Sequence, residues 1–261
     1  MAIHPMLAAD TLQFAFQKAT TEGKITVGAL FVLSFFSWTI IITKYRQLWI
    51  ARRAAKRFFT AYGATRDPLD IKHKGGVFRG APVYQLYIRG ADELDYHLQN
   101  NPVTVKGQAR VSTASFEAVK VTLEEAAAAQ AMALEKGMIV LSTAVAGGPF
   151  IGLLGTVWGV MDTFAGIARA NSASLTAMAP GVAGALIATV VGLLVAIPAM
   201  FAYNFMVTSI RVITQELDGF ASRYATQIEH AYVDNRDLED KIAGALLRAG
   251  KPAELAAVAA S

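Results

Sequence analysis

Three side chains stand where chemistry would be unexpected. Thr156 and Thr189 lie mid-span in two long apolar stretches, and Asp162 sits at the outer edge of the first of them. A hydroxyl in hydrocarbon can bond its own i−4 carbonyl, so a single threonine says little. Two hydroxyls at matching depth, each beside a ridge of small residues, could line a polar path for a cation. Asp162 follows Thr156 by six residues, about 9 Å along a helix and about 120° around it. An ionisable group at that depth is a functional candidate by default. An interfacial cap is the other reading of the same carboxylate.

Other chemistries lack their residues. The chain has no cysteine, which removes disulfides, thiol nucleophiles and thiolate metal sites. His4, His73, His97 and His230 have no metal-like spacing and read as surface histidines. There is no G-x-x-x-x-G-K-[ST] phosphate loop, no dinucleotide fingerprint and no Gly-x-Ser-x-Gly elbow. The expectation is a protein that is not an enzyme and has no cofactor and no metal. Any work it does must draw on an energy source other than nucleotide hydrolysis.

The composition names the elements that position these residues. Of 261 residues 54% are hydrophobic and 17% charged, with mean hydropathy +0.39. Soluble domains carry about 25% charge. The deficit is confined to three windows without Asp, Glu, Lys or Arg: 25–43, 137–161 and 170–210. A helix crosses a bilayer with roughly 20 apolar residues. Outer-membrane barrel strands would instead alternate over about 10 residues. The expected fold is therefore an all-α membrane protein with three transmembrane helices, at 25–43, 138–168 and 179–210. The first reads as an uncleaved anchor, since Asp10 and Glu22 precede it and its apolar run exceeds the usual 7–15 residues of a signal peptide. The third is expected to start near Pro180, because proline is tolerated in a first turn.

Orientation follows from basic residues. Lys44, Arg46, Arg52, Arg53, Lys56, Arg57 and Arg66 follow the first window with no acid among them. The positive-inside rule places this side in the cytoplasm. So close to a span, topology and contact with anionic membrane lipids outweigh nucleic-acid binding. Residues 1–24 then form a periplasmic segment, 44–137 a cytoplasmic helical region, 169–178 a short periplasmic loop and 211–261 a cytoplasmic helix and tail. Residues 109–136 are rich in helix formers and run toward the second span without Gly or Pro. Ile213, Leu217, Phe220, Tyr224, Ile228 and Tyr232 recur at steps of three and four. The second and third membrane helices are thus expected to extend into a cytoplasmic helical bundle. Residues 63–82 read as a joining loop, and the chain from Gly250 onward as frayed.

The second and third spans are rich in small residues. Gly148, Gly152 and Thr156 fall four apart, with Gly155 and Pro149 among them. Gly184, Ala188, Gly192 and Ala196 form a second four-residue ridge, between Pro180 and Pro198. Such ridges let helix backbones approach closely in lipid.

Two motifs carry a family resemblance. GPFIGLLGTVWGVM at 148–161 resembles the second-span motif of the MotA/TolQ/ExbB proton-channel family. APGVAGALIATVVGL at 179–193, followed by AIPA at 196–199 and Tyr203-Asn204, resembles its third-span motif. The likeness is greatest to the ExbB/TolQ branch, which has three spans and an outside N-terminus. The resemblance implies an inner-membrane homopentamer around an ExbD/TolR-like single-span partner whose membrane aspartate carries the ion. It also implies a TonB/TolA-like protein as a further partner. Thr156 and Thr189 match the family's pore-facing threonines. Ion-motive force would then drive one set of subunits against the other to energise transport or envelope work.

One position departs from the pattern. Many ExbB/TolQ members carry a glutamate where this chain has Gly184. Coupling would then rest on the partner carboxylate with Thr156 and Thr189, or Asp162 would substitute, although its helical phase differs. Three functions compete at this point: a proton-driven motor subunit or its sodium-driven variant, a non-conducting scaffold ring, and a membrane-anchored enzyme that the missing motifs make remote.

Overall fold

The computed structural model describes residues 21–105, 108–170 and 175–233. Six helices and one small hairpin make up these residues: α1 (Thr21–Gly63), α2 (Asp70–His73), α3 (Pro82–Asn100), β1 (Val103–Val105), β2 (Gln108–Arg110), α4 (Thr113–Glu135), α5 (Met138–Ala170) and α6 (Leu175–Tyr232). Three of them, α1, α5 and α6, are long and apolar enough to cross a membrane. Residues 1–20 of the expected periplasmic start, His4 among them, residues 171–174 of the expected periplasmic loop and the tail beyond residue 233 lie outside the described residues.

Local chemistry sets the boundaries. Pro82 opens α3 in its first turn, where its missing N–H costs nothing. Ser112 caps α4, its Oγ accepting from the Ser115 N–H at 3.2 Å. Gly137 separates α4 from α5 with φ +88°, a left-handed conformation that side chains disfavour. The helix leading into the second span is thus interrupted at Lys136 and Gly137 rather than continuous.

Two expectations are corrected. Residues 109 and 110 belong to β2, and α4 begins only at Thr113. The third apolar helix does not begin at Pro180: α6 already runs from Leu175, with Pro180 and Pro198 inside it. Each proline deletes one backbone rung. In hydrocarbon the remaining amides have no partner better than the helix, so it persists through both. Pro149 lies inside α5 in the same way.

The chain divides into two compact units, Met1–Lys56 with Ala129–Glu216, and Arg57–Ala128 with Leu217–Ser261. In the first, α1 turns a narrow face inward: Val27, Leu30, Ser37, Lys44 and Leu48 are buried at helical spacing. Phe31, Phe35, Phe36 and Trp38 point outward, each more than half exposed. Hydrocarbon is the solvent such a surface fits. Buried Lys44 donates to the Leu134 carbonyl and to Gln47 Oε1, both at 2.9 Å.

The second unit has an aromatic core. Phe58 is fully buried, with the rings of Tyr62, Phe78, Tyr84, Tyr87 and Phe220 at 5.5–6.0 Å. Leu217, Phe220, Tyr224 and Ile228 of the α6 stripe are buried in this core, and Tyr232 bonds Asp67 Oδ1 at 2.7 Å. Val111 pairs with Val233, the Val111 N–H donating to the Tyr232 carbonyl at 2.8 Å. Lys72 is clamped between Asp95 at 2.5 Å and Asp92 at 2.9 Å. His97 is not the exposed surface histidine expected: its side chain is 13% exposed and its Nε2 stands 3.2 Å from Glu93 Oε1, one turn earlier on α3.

Candidate functional site

The α5 and α6 backbones meet along a seam of small residues. A methyl group at each α5 glycine shows how close they come. At Gly148 it would lie 3.1 Å from the Gly192 carbonyl oxygen and 3.2 Å from Ala196 Cβ. At Gly152 it would lie 2.8 Å from the Ala188 carbonyl oxygen and 2.9 Å from Thr189 Cα. At Gly159 it would lie 2.6 Å from Ala185 Cβ. As the α5 number rises the α6 number falls, so the helices pack antiparallel. The contacts at Gly152 and Gly192 are with backbone, which cannot swing aside, so these positions require glycine. Without a hydrophobic drive between helices in lipid, such close approach is what holds them. By contrast Gly147 faces open space.

Gly155 brings in a third helix. A methyl group there would lie 2.5 Å from Ala188 Cβ and 2.7 Å from Thr26 Oγ1 on α1. Thr26 is buried, with its hydroxyl donating to the Gly23 carbonyl at 2.8 Å. Thr26 belongs to no motif or ridge in the sequence. The available signal was a hydroxyl one residue inside the charge-free window of 25–43. Thr163, equally unmarked by sequence spacing, donates to the Gly159 carbonyl at 2.7 Å and stands against Gly181.

Thr156 and Thr189 come together within this seam. Thr189 Oγ1 donates to Thr156 Oγ1 at 3.5 Å, and Thr156 Oγ1 donates to the Leu153 carbonyl at 2.6 Å. Both residues are half-buried. The two hydroxyls thus form a short polar relay that keeps acceptor lone pairs free, beside a wall of glycine and alanine. Such a pair can solvate a cation or orient a carboxylate by hydrogen bonding, and it does not itself titrate.

The other candidates lie apart from this pair. Asp162 is exposed, and Arg169 Nη2 stands 3.8 Å from its carboxylate. Its place toward the C-terminal end of α5 matches the cap reading as well as an auxiliary role. Gly184 is buried on α6 one residue before Ala185, which meets Gly159. Among the described residues no group of three or more His, Cys, Asp or Glu could hold a metal ion.

Comparison with known proteins places this geometry. Residues 95–219, which include both threonines and both small-residue ridges, match the MotA/TolQ/ExbB proton channel family. The Tol-Pal system protein TolQ of Haemophilus influenzae is 32% identical over 81% of this chain and 90% of its own length. The biopolymer transport protein ExbB of Xanthomonas campestris pv. campestris is 33% identical over 80% of this chain and 86% of its own. The ExbB of Pseudomonas putida is 31% identical over 75% of this chain, a match that spans 56% of that longer protein. With three membrane-length helices and relatives of this extent, the chain is a multi-pass membrane protein that belongs to the MotA/TolQ/ExbB proton channel family.

Proposed function

We propose that this chain is the ExbB/TolQ-type subunit of an ion-motive-force-driven motor in the bacterial inner membrane, with its N-terminus in the periplasm. In this reading five copies surround an ExbD/TolR-like single-span partner, and Thr156 and Thr189 face that partner's membrane carboxylate. Protons pass along the hydroxyl pair to and from the carboxylate, and a TonB/TolA-like protein receives the work. Moving one charge through 100 mV yields about 2.3 kcal/mol, so a few ions per step suffice for mechanical work.

The observation that carries the reading is the 3.5 Å hydroxyl pair in a seam whose other walls are glycine and alanine. Both hydroxyls are half-buried, so packing alone does not account for them. Asp162, held near Arg169, serves as an auxiliary charge at the outer end of the path.

Gly184 favours a second reading, in which the ring holds its partner without conducting. No titratable group of this chain stands at that depth of α6. Ion flux into proteoliposomes that hold the chain with its partner separates the two. The motor reading expects flux under an imposed potential, lost when the partner's membrane carboxylate becomes an amide. A complete assembly that passes neither protons nor sodium would leave the scaffold.

A further inference from the structure

The first unit contains a cavity of about 560 Å³ between the end of α4, the start of α5 and the middle of α6. That volume is in the range of small-molecule sites, about 300–1,000 Å³. Its depth is fixed by sequence. Arg211, in its wall, is the first charged residue after the 170–210 window, and Glu135, opposite in charge, stands two residues before the 137–161 window. The cavity therefore lies where both helices leave the hydrocarbon, at headgroup level.

Its lining is divided by chemistry. Met138, Ile139, Val207 and Ile210 supply an apolar floor. Ile139 is 72% exposed, so this floor opens to the outside of the chain. Ser142 and Thr214 add hydroxyls. Arg211 and Glu135 line one space, yet among the described residues neither side chain makes an ion pair or hydrogen bond. A simple anion would meet the guanidinium but also the carboxylate, which repels it. A molecule with a phosphate at one end and an ammonium at the other meets both.

We propose that this cavity binds the headgroup of a zwitterionic aminophospholipid, such as phosphatidylethanolamine, from the leaflet at the inner end of α5. The Arg211 guanidinium forks onto the phosphate, the geometry for which arginine is suited. The Glu135 carboxylate takes the ammonium, and the upper acyl chains lie along Ile139 and Val207. Bound lipid would bridge α4, α5 and α6 at this level. The inference needs only a membrane-embedded chain, and it stands or falls apart from any ion path through Thr156 and Thr189.

The test is native mass spectrometry of the full-length assembly in detergent, with phosphatidylethanolamine and phosphatidylglycerol of matched acyl chains. The wild type should retain the ethanolamine lipid in preference to the glycerol lipid. Arg211→Ala should lower retention of both by about tenfold, the loss of a charge-assisted hydrogen bond. Glu135→Gln should abolish the preference while glycerol lipid is still retained, a change of ratio that misfolding would not produce. Arg169→Ala, at the other end of α5, should alter neither. Preference for phosphatidylglycerol, absence of retained lipid, or an unchanged ratio in Glu135→Gln would each overturn the proposal, as would crosslinks showing the cavity filled by a second copy of this chain.

Discussion

Thr189 Oγ1 stands 3.5 Å from Thr156 Oγ1, joining residues 33 apart in the chain at the seam where α5 and α6 pack backbone to backbone. The two facts are linked. A β-branched hydroxyl residue can meet its counterpart across a helix pair only if neighbouring residues allow the axes to come close. Gly152 and Ala188 do so, since a methyl on Gly152 would strike the Ala188 carbonyl and Thr189 Cα together.

Gly152→Ala should therefore loosen the pair even though alanine is the better helix former. The added methyl, 2.8 Å from a backbone oxygen, can be accommodated only by moving a helix. Overpacking of this kind costs on the order of 1–3 kcal/mol. Gly147→Ala has nothing within 4 Å and should be neutral or stabilising by up to about 1 kcal/mol. Thermal unfolding in detergent, followed by circular dichroism, should rank the variants in that order. Equal midpoints would mean the seam does not hold the helices.

Lys44→Met should destabilise the first unit. The buried ammonium donates to the Leu134 carbonyl in the last turn of α4, and methionine of similar length leaves that acceptor unpaired. The expected loss is about 1–3 kcal/mol. The same unfolding assay reads it, and Lys24→Met, at an exposed position, is the control.

Alkaline pH should dissolve the aromatic core of the second unit. Burial, with Asp67 and Asp70 nearby and against the backbone N–H of Lys72, pushes the Tyr87 phenol up to about 12. Burial first, then neighbouring tyrosines and Asp67, holds Tyr62, Tyr224 and Tyr232 well above the ordinary value. For Lys72, burial opposes the charge but Asp95 and Asp92 outweigh it, so its pKa is also raised. A group whose pKa is raised by folding stabilises the fold below its unfolded pKa, and that stabilisation fades as pH climbs through the folded value. These groups therefore support the fold fully below about pH 10, the unfolded phenol value, and progressively less above it. In a spectrophotometric titration at full protein length, four of the eight tyrosines should resist ionisation near pH 10 and ionise together with loss of helicity at higher pH. A single smooth titration of all eight near pH 10 would contradict this core.

Much of the fold was legible because lipid is a demanding solvent. Three charge-free windows located α1, α5 and α6, and the small residues at steps of four picked out the faces that meet. What the sequence hid depends on long-range contact or on conformation at single residues. The clamp of Asp92 and Asp95 on Lys72 spans about twenty positions with no periodic signature. The pairing of 103–105 with 108–110 had a faint sign in Val103-Thr104-Val105, a β-branched run followed by a glycine in the sequence. Pro180 misled because its preference for a first turn yields, in hydrocarbon, to the cost of unpaired backbone. The pairing of Thr156 with Thr189 was suggested by depth, but the hydroxyl contact itself needs the antiparallel register of α5 and α6.

The most direct test of the proposed role is ion flux through proteoliposomes that hold this chain with its single-span partner, comparing wild type with the Thr156→Val, Thr189→Val double variant. Valine keeps the β-branched shape and removes only the hydroxyls, so helix packing is preserved. Losing hydrogen bonds at a water-poor site costs about 1–3 kcal/mol each, so flux should fall by about tenfold or more while the complex stays assembled. Undiminished flux in an intact double variant would contradict the account.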